Sequence, residues 1–277
     1  MKSADLPLAT LDQIACFETL RIYGRQIFGL DEHLIRLHDS CRAIGKTLNL
    51  SVSELKKWCC ETLKNSGFAD SLFRLSVHWE NEKKGHLVAI IKEFEPYPPE
   101  FYEKGICIQT AVQRRWTLRA QDAQTKTSQF MNGVLAVLDR GEKAVNELIF
   151  LAQTGFVTEG TVSNIFILAS SYGRVKEKRL LTPSVSSGIL RGVTRASAIE
   201  LAEKRGWKCA ETYLTRHEIY NAQECFLTST LSEILPVVKV DGRQIGSGKP
   251  GIVTQTLLKD FKYLCTTGVR NGENDQD

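Results

Sequence analysis

The segment 124–166 contains a lysine and a glutamate in settings that suit chemistry. Lys126 lies in a short polar stretch directly before an apolar run with helical spacing. Glu159 ends a β-rich run and is followed by glycine, so it lies at a strand-to-turn junction. A lysine amine forms imines with carbonyl compounds, and turns at strand ends often carry catalytic side chains. Residue type alone does not distinguish Lys126 from Lys143 or Lys176.

Periodic patterns predict the elements that must position these two residues. Ser51 with Glu54, and Thr215 with Glu218, have capping-box spacing and predict two helix starts. Asp31 is predicted to cap an earlier helix. The apolar run after the candidate lysine consists of Phe130, Val134, Leu135 and Leu138. Helices are predicted over 32–47, 51–66, 192–205, 215–222 and 252–264. Strands are predicted over 14–23, 72–79, 86–94, 105–113, 147–151, 155–158, 163–168, 208–214, 224–228 and 234–240.

Length and composition exclude several classes of protein. The 277 residues are 42% hydrophobic and 25% charged, which is ordinary for a globular chain with a sizeable core. The net charge of +4 is too small to indicate nucleic-acid binding. No apolar run approaches the roughly 20 residues of a membrane span, and the N-terminus lacks a signal-peptide core. We therefore expect a cytoplasmic protein that binds neither nucleic acid nor a membrane.

The cysteines and histidines do not indicate a metal site or a disulfide framework. The eight cysteines are scattered, and five lie inside apolar runs. No C-x-x-C occurs, and the five histidines do not have metal-ligand spacing. We expect reduced thiols and no bound metal.

Two short motifs are better explained by structure than by chemistry. Ser53 and Lys56 fit the S-x-x-K pattern of serine acyl-transfer enzymes, but Ser53 belongs to a predicted helix start and the companion motifs are absent. Residues 246–251 fit G-x-G-x-x-G, but they lie too close to the C-terminus to open a βαβ unit. We interpret this stretch as a turn before a helix.

Longer blocks resemble the class IV (fold type IV) pyridoxal-phosphate aminotransferases, which include branched-chain and D-amino-acid aminotransferases and aminodeoxychorismate lyase. They occur in the order found in that family. Besides Lys126, the blocks are FETLR at 17–21, HLIRL at 33–37, EGTVSNIF at 159–166, LTP at 181–183, GILRGVTR at 188–195 and FLTSTLSEILPV at 226–237.

The resemblance implies a role for each candidate residue toward pyridoxal 5'-phosphate. Lys126 matches the lysine that holds the aldehyde as a Schiff base, and Glu159 matches the partner of the ring nitrogen. Leu190 matches the residue packed on the ring face. The residues that match phosphate anchors are Arg36, Val193, Thr194 and Thr230. On the substrate side, the matching residues are Arg74, Thr230 and Leu231. Without the resemblance, Arg36 would be interpreted as a solvated helix arginine.

The resemblance also implies an α/β fold of the α+β type with two domains. We expect a small N-terminal α/β domain over 1–113, a connection over 114–124 and a larger C-terminal domain with a mixed-sheet pseudo-barrel over 125–277. The family implies a homodimer that binds an amino acid and a 2-oxo acid. The resemblance favours a transaminase that moves the amino group of an L-branched-chain amino acid to 2-oxoglutarate.

Three alternatives stay open. Aminodeoxychorismate lyase and D-amino-acid aminotransferase share the same cofactor frame, and a non-catalytic binding protein could keep the fold. The chain departs from the branched-chain pattern at Gln129 and Phe130, where many of those enzymes have a tyrosine, and at 11–16, which lacks the usual aromatic residue and glycines. These departures concern the pocket for the substrate side chain.

Overall fold

In this computed structural model the described residues form two sheets. Alternating apolar residues near the N-terminus form strands of the first one. The structure describes residues 15–79, 85–117, 122–128, 131–139, 145–169 and 179–267. The chain divides into two compact units. The first unit comprises Met1–Glu95 and Gln124–Phe130, and the second comprises Pro96–Ala123 and Met131–Asp277.

The first unit contains an antiparallel sheet of four strands in the order β2-β1-β3-β4. Its strands are β1 Ala15–Tyr23, β2 Gln26–Ile27, β3 Ser71–Trp79 and β4 Gly85–Glu93. Its helices are α1 Leu30–Ala43 and α2 Val52–Ser66. The core combines leucines of both helices with the inward residues of the strands, among them Leu20, Leu34, Leu55, Phe73 and Val77. The alternation of burial along β1 and β3 follows from the period of two in a strand.

The starts of the two helices differ in how far the sequence predicted them. Ser51 and Glu54 form the predicted capping box of α2. The prediction that Asp31 caps α1 is wrong, because the helix begins after Gly29, which has a φ of 61° and makes no side-chain cap. Asp31 lies in the first turn of α1 instead, and its carboxylate pairs with Lys56 Nζ at 2.7 Å. Acidic residues in the first turn are favoured by the helix dipole.

The second unit contains a mixed sheet in which eight strands follow the order β10-β9-β8-β11-β12-β5-β6-β7, with β13 paired to β12. Its strands are β5 Ile106–Arg114, β6 Glu147–Leu151, β7 Val157–Gly160, β8 Asn164–Leu168, β9 Arg179–Pro183, β10 Lys208–Thr212, β11 Glu224–Ser229, β12 Glu233–Val240 and β13 Arg243–Gln244. Its α-helices are α3 Pro99–Glu103, α4 Met131–Leu138, α5 Val193–Lys204, α6 Arg216–Tyr220 and α7 Ile252–Thr267. Branched aliphatic residues of the central strands form its main core. The predicted α/β fold class is confirmed.

The boundaries of the two compact units differ from those of the predicted domains. Strand β5 was assigned to the N-terminal domain, whereas it pairs in parallel with β12 and β6 of the second sheet. Residues 124–130 belong to the first unit although the chain before and after them belongs to the second. The predicted connection 114–124 lies only partly within the described residues. The ranges 1–113 and 125–277 therefore remain a proposal about domains.

Helix α4 exposes the apolar stripe whose spacing predicted a helix. Val134 is 47% exposed, Leu135 is 40% exposed and Leu138 is 74% exposed. Phe130, the fourth member of that stripe, lies outside the described residues. The buried side of α4 is formed by the small or polar residues Asn132, Gly133 and Ala136. An exposed apolar face of this kind often marks an interaction surface.

Neither disulfides among the cysteines nor membrane-spanning helices are found in the part of the chain that the structure describes. All eight cysteines are free thiols, and five of them are buried. Over the part of the chain that the structure describes, no helix is both long enough and apolar enough to span a membrane.

Candidate active site

The backbone of Lys126 is fixed to the first unit by hydrogen bonds on both sides. Its N–H donates to Ser40 Oγ of α1 at 3.0 Å, and its carbonyl accepts from the N–H of Phe17 at 3.1 Å. One residue further on, Thr127 forms an isolated antiparallel bridge with Cys16 of β1. The predicted lysine therefore projects from a short segment that is held by a strand and a helix, which limits the positions its amine can reach.

The amine of Lys126 lies 4.8 Å from the centroid of the Phe17 ring, and the guanidinium of Arg74 lies 3.7 Å from the same centroid. Two cations thus contact one aromatic ring, an arrangement favoured by the ring quadrupole. Arg74 is half-buried, and burial lowers the pKa of its guanidinium. Among the described residues, Arg74 makes no hydrogen bond or ion pair. Its donors can therefore bind a carboxylate from outside the protein.

Arg36 is buried and paired, so its interpretation as a solvated arginine is wrong. Only 9% of the residue is exposed. Its Nε donates to Glu18 Oε1 at 2.8 Å and its Nη2 donates to Glu18 Oε2 at 2.6 Å, which is a bidentate contact. His33, one turn earlier on α1, places Nδ1 2.7 Å from Glu18 Oε2. The side chains of Arg36 and His33 thus meet at one carboxylate of β1.

Burial and the neighbouring positive charge act in opposite directions on the pKa of Glu18. Burial raises the pKa of Glu18, but the attraction of Arg36 and the hydrogen bonds from Arg36 and His33 outweigh it and lower the pKa to about 2. Burial also lowers the pKa of His33, and the nearby positive charges of Arg36 and Lys126 act in the same direction. Glu18 is therefore ionised and His33 is a neutral ring at neutral pH, with its proton on the Nδ1 that faces the carboxylate.

In the second unit, the carboxylate of Glu159 is held by three donors. The N–H of Leu190 donates to Oε2 at 2.8 Å, and the side-chain amide of Asn164 donates to the same oxygen at 3.4 Å. Arg115 Nη2 lies 2.8 Å from Oε1. Asn164 also donates to the carbonyl of Leu190 at 3.1 Å, so the residue expected on the ring face is tied to the glutamate through its backbone. A carboxylate held in this way can accept a hydrogen bond from a protonated ring nitrogen without moving.

The turn after Glu159 explains the glycine that follows it. Glu147 accepts hydrogen bonds from the Thr161 hydroxyl at 2.6 Å and from the Ser163 hydroxyl at 3.2 Å. The N–H of Gly160 donates to the carbonyl of Ser163 at 2.6 Å. A Cβ at position 160 would overlap Ser163 Oγ and lie 3.2 Å from the Ser163 carbonyl oxygen, so glycine suits this tight turn. Glu147 therefore fixes the connection between Glu159 and the strand that carries Asn164.

The N-termini of α5 and α7 differ in whether they can accept a phosphate from outside the protein. Helix α5 begins after Gly192, with no side-chain cap and no acidic residue in its first turn, and a Cβ on Gly192 would overlap Asn164 Oδ1. Helix α7 follows the G-x-G-x-x-G stretch, and there Glu224 accepts from the N–H groups of Val253 and Thr254 at 3.0 and 2.8 Å. A carboxylate of the protein already satisfies the start of α7, which confirms the interpretation of that motif as a turn before a helix. The start of α5, at Val193 and Thr194, suits an external anion.

Thr230 and Leu231 form the turn between β11 and β12. Ser229 Oγ and Ser232 Oγ lie 2.7 Å apart, and the N–H of Ser232 donates to Ser229 Oγ at 3.1 Å. Glu233 ends the turn with a φ of 56°. Both candidate residues are half-buried. The tight turn fixes the direction of their backbone N–H groups, which were predicted to bind a carboxylate.

The predicted site residues therefore form two groups, one in each unit. The first unit contains Arg36, Arg74 and Lys126, and the second contains Glu159, Leu190, Val193, Thr194, Thr230 and Leu231. Gln129 and Phe130, where the chain departs from the branched-chain pattern, lie outside the described residues. Within the part of the chain that the structure describes, no group of three metal-ligand side chains could hold a metal ion.

Sequence reasoning missed the residues that hold the predicted ones in place, namely Glu18, His33, Arg115, Glu147 and Asn164. One of them carried a signal. Glu18 lies in register with Cys16, Leu20 and Ile22 on the inward face of β1, and an acidic residue at a core position must be paired. Arg115 carried no such signal, because it follows β5 in a polar stretch without a clear period.

Comparison with known proteins finds relatives over most of the chain. The model of the family described as amino-transferase class IV matches residues 15–240. A candidate branched-chain-amino-acid aminotransferase of Methanocaldococcus jannaschii is 35% identical over 90% of this chain and 86% of its own length. The D-alanine aminotransferase of Bacillus licheniformis is 32% identical over 87% of this chain and 84% of its own length.

Solved structures show the same architecture. The crystal structure of the branched-chain amino acid aminotransferase of Escherichia coli superposes with a TM-score of 0.87 at 25% identity, covering 98% of this chain and 93% of the other. The family match extends from β1 to the end of β12 and includes both groups of site residues. The chain therefore belongs to the class IV aminotransferases, whose cofactor is pyridoxal 5'-phosphate.

Proposed function

We propose that this protein is a transaminase that moves the amino group of an L-branched-chain amino acid to 2-oxoglutarate. The observation that carries the proposal is the pair of cations on the Phe17 ring, the amine of Lys126 and the guanidinium of Arg74. Arg74 has no carboxylate partner among the described residues, and an amine beside such an arginine suits a reaction on an amino acid or a 2-oxo acid that carries carboxylates.

The cofactor-binding roles follow from the local structure of each residue. The start of α5, at Val193 and Thr194, would bind the phosphate through its backbone N–H groups. Arg36 would bind the phosphate by charge and Thr230 by its hydroxyl group. Glu159 would keep the ring nitrogen protonated, and Leu190 would pack on the ring face.

Lys126 is proposed to hold the aldehyde of the cofactor and then to move the proton at the Cα of the substrate. When bound, pyridoxal phosphate supplies a conjugated ring that accepts the electron pair of that Cα–H bond. The backbone of Lys126 is fixed on both sides, so the amine explores only the positions that its own side chain allows. This restriction favours a single donor for the proton and one face of the substrate.

The substrate carboxylates would be bound by two sets of donors. The N–H groups at Thr230 and Leu231 are proposed for the α-carboxylate, and Arg74 for the second carboxylate of 2-oxoglutarate. An Arg74→Met variant should therefore raise the KM for 2-oxoglutarate by about 10-fold or more, the usual loss for a charged hydrogen bond. The KM for L-leucine, which has no second carboxylate, should change far less. Equal increases for both substrates would contradict the role of Arg74.

The reaction itself is tested by the visible absorbance of the holoenzyme. L-leucine should bleach the absorbance of the bound cofactor, and 2-oxoglutarate should restore it. The similarity to a D-alanine aminotransferase supports D-alanine as a second candidate donor. Bleaching by D-alanine and not by L-leucine would replace the proposal with that activity. Formation of 4-aminobenzoate and pyruvate from aminodeoxychorismate would identify a lyase, and no response to any amino acid would indicate a binding protein.

A lysine variant tests the site assignment. Lys126→Ala should abolish transamination, because the amine is required both to hold the aldehyde and to move the proton. Lys57→Ala, on the exposed side of α2 in the same unit, is the matched control and should retain full turnover. Circular dichroism of both variants establishes that they are folded. Undiminished turnover in the Lys126 variant would falsify the assignment.

The exposed face of α4 supports the expected homodimer. Met131 and the stripe residues Val134, Leu135 and Leu138 are exposed apolar side chains on this helix. Burial of such side chains contributes roughly 1.5–3 kcal/mol each, which favours association with a second copy. Light scattering should give twice the chain mass, and Leu138→Glu should reduce it. A parent protein that is monomeric at micromolar concentration would contradict this part of the proposal.

A further inference from the structure

Glu18 is a buried carboxylate at the centre of the first unit, and none of the roles described above uses it. It lies on the inward face of β1 between Cys16 and Leu20 and is fully buried. Both of its oxygens accept hydrogen bonds, from Arg36 and from the ring of His33. Strand β1 and helix α1 are thus joined by ionic and polar contacts inside an otherwise apolar core.

Stability alone does not account for such a group. Removing two charges from water costs free energy that the attraction between them only partly offsets, and buried ion pairs can often be replaced by apolar residues without loss. Leu34, Leu37 and Leu55 already give this region a well-packed core. A function for the pair is therefore the better explanation of why the chain places a carboxylate there.

The geometry of the contact restricts the guanidinium of Arg36. Two parallel hydrogen bonds from Nε and Nη2 fix the plane of the group and its direction. A single hydrogen bond would leave the guanidinium free to rotate about that bond. The negative charge of Glu18 offsets the charge of Arg36 while no anion is bound.

His33 supports the same carboxylate from the other side. Its Nδ1–H donates to Oε2, the oxygen that also accepts from Arg36 Nη2. Because the ring is neutral, it fixes the carboxylate without adding a second positive charge. Glu18 is thus held in place by one residue while it orients another.

We infer that Glu18 is a positioning residue for phosphate recognition, because it holds the guanidinium of Arg36 in the orientation that binds the phosphate ester of the cofactor. This inference rests on the proposed function, in which Arg36 anchors that phosphate. It assigns to Glu18 a role in phosphate affinity that is separate from its contribution to folding.

The test compares pyridoxal 5'-phosphate with pyridoxal, which lacks the phosphate. The affinity of the apoenzyme for each is measured by fluorescence titration. The ratio of the dissociation constant of pyridoxal to that of pyridoxal 5'-phosphate reports the contribution of the phosphate. Glu18→Gln should lower this ratio by about 10- to 100-fold, the loss that is typical when the groups that orient metal-binding side chains are removed. The affinity for pyridoxal should stay within about twofold. A folding defect would weaken the binding of both compounds.

Two further variants make the result interpretable. Asp39→Asn removes the carboxylate of the exposed Arg42–Asp39 pair on the same helix and should leave the ratio unchanged. Arg36→Gln tests the proposed function. If Arg36→Gln leaves the ratio unchanged, the assignment of the phosphate anchor fails. If Arg36→Gln lowers the ratio and Glu18→Gln does not, only the present inference is overturned.

Glu18→Asp covers the case in which Glu18→Gln does not fold. It keeps the charge, but it shortens the side chain by one methylene group and so displaces the carboxylate from the guanidinium. Circular dichroism and thermal unfolding establish the folded fraction of each variant. A lower ratio in folded Glu18→Asp supports the inference. An unchanged ratio in that variant, with a lowered ratio in Arg36→Gln, overturns it.

Discussion

Each unit of the molecule contains an arginine–glutamate pair that includes a candidate site residue, but the two pairs differ in which member is expected to bind the cofactor. In the first unit, Arg36 is the proposed phosphate anchor and Glu18 orients it. In the second unit, Glu159 is the proposed partner of the ring nitrogen and Arg115 holds it. Each pair thus combines a ligand-binding residue with an oppositely charged supporting residue.

The pairs also differ in what remains when the arginine is removed. Glu159 would keep the N–H of Leu190 and the amide of Asn164 as donors. Glu18, by contrast, would keep only the ring of His33 among its described partners. A buried carboxylate can thus depend on a single charged partner or be supported by several donors. It also predicts that equal substitutions in the two units have unequal effects.

The largest effect on stability is expected for Arg36→Met. The substitution leaves the carboxylate of Glu18 buried without its charged partner, which typically costs about 3–5 kcal/mol. Urea unfolding of the apoenzyme, followed by circular dichroism, measures this loss. A loss below about 1 kcal/mol would show that Glu18 does not depend on Arg36.

A smaller effect is expected for Arg115→Met. The carboxylate of Glu159 keeps two hydrogen bonds, so the loss should be about 1–3 kcal/mol, the usual range for one missing partner of a charged group. The same urea titration provides the comparison. If Arg115→Met destabilises the protein as much as Arg36→Met does, the remaining donors of Glu159 contribute little.

The free energy of unfolding of the parent protein should fall at low pH because Glu18 becomes protonated. Its pKa is lowered from an unfolded value of 4.5 to about 2, so the folded state binds the proton more weakly than the unfolded state does. The stabilisation is therefore fully present above pH 4.5 and is lost as the pH falls toward 2. The unfolding free energy of Glu18→Gln should fall less steeply over this range. Parallel curves for the two proteins would contradict the role of Glu18 as an ionised partner.

The smallest effect is expected for Asp39→Asn. Its pair with Arg42 is exposed and separated by three positions on α1, and such pairs contribute about 0–1 kcal/mol. Its urea midpoint should be close to that of the parent. A large loss would show that the exposed surface of α1 contributes more to stability than its contacts indicate.

Much of the fold was predicted from local patterns, because these patterns act through nearby residues. The capping boxes at Ser51 and Thr215 start helices as predicted. Residues 105–113 were assigned to the predicted N-terminal domain, whereas β5 pairs with β12 in the second sheet. This pairing joins residues far apart in the sequence, so no local pattern shows it. The spacing of the apolar stripe predicted helix α4, yet no local pattern shows whether such a stripe faces a core or is left exposed.

The candidate site was predicted in part for the same reason. Lys126, Glu159 and Arg36 lie in blocks that resemble the family, and the family itself is confirmed. Their partners were missed, because an ion pair such as Arg115 with Glu159 forms only when two distant segments fold together. The roles of the individual residues remain predictions that the variants above can test.

The short pairing of residues 126–128 with β1 has a consequence for synthesis on the ribosome. Strand β3 covers one edge of β1, and β2 covers the other edge only at Ile22 and Tyr23. Part of the rest of that second edge, at Ala15–Phe17, receives its partner from Thr127 and its neighbours. A nascent chain that ends at Glu95 therefore carries an open strand edge, the kind of surface that recruits other chains. The segment that bears the candidate lysine also pairs with that edge, so the first sheet gains this partner only after residue 128 has been synthesised and has left the ribosome.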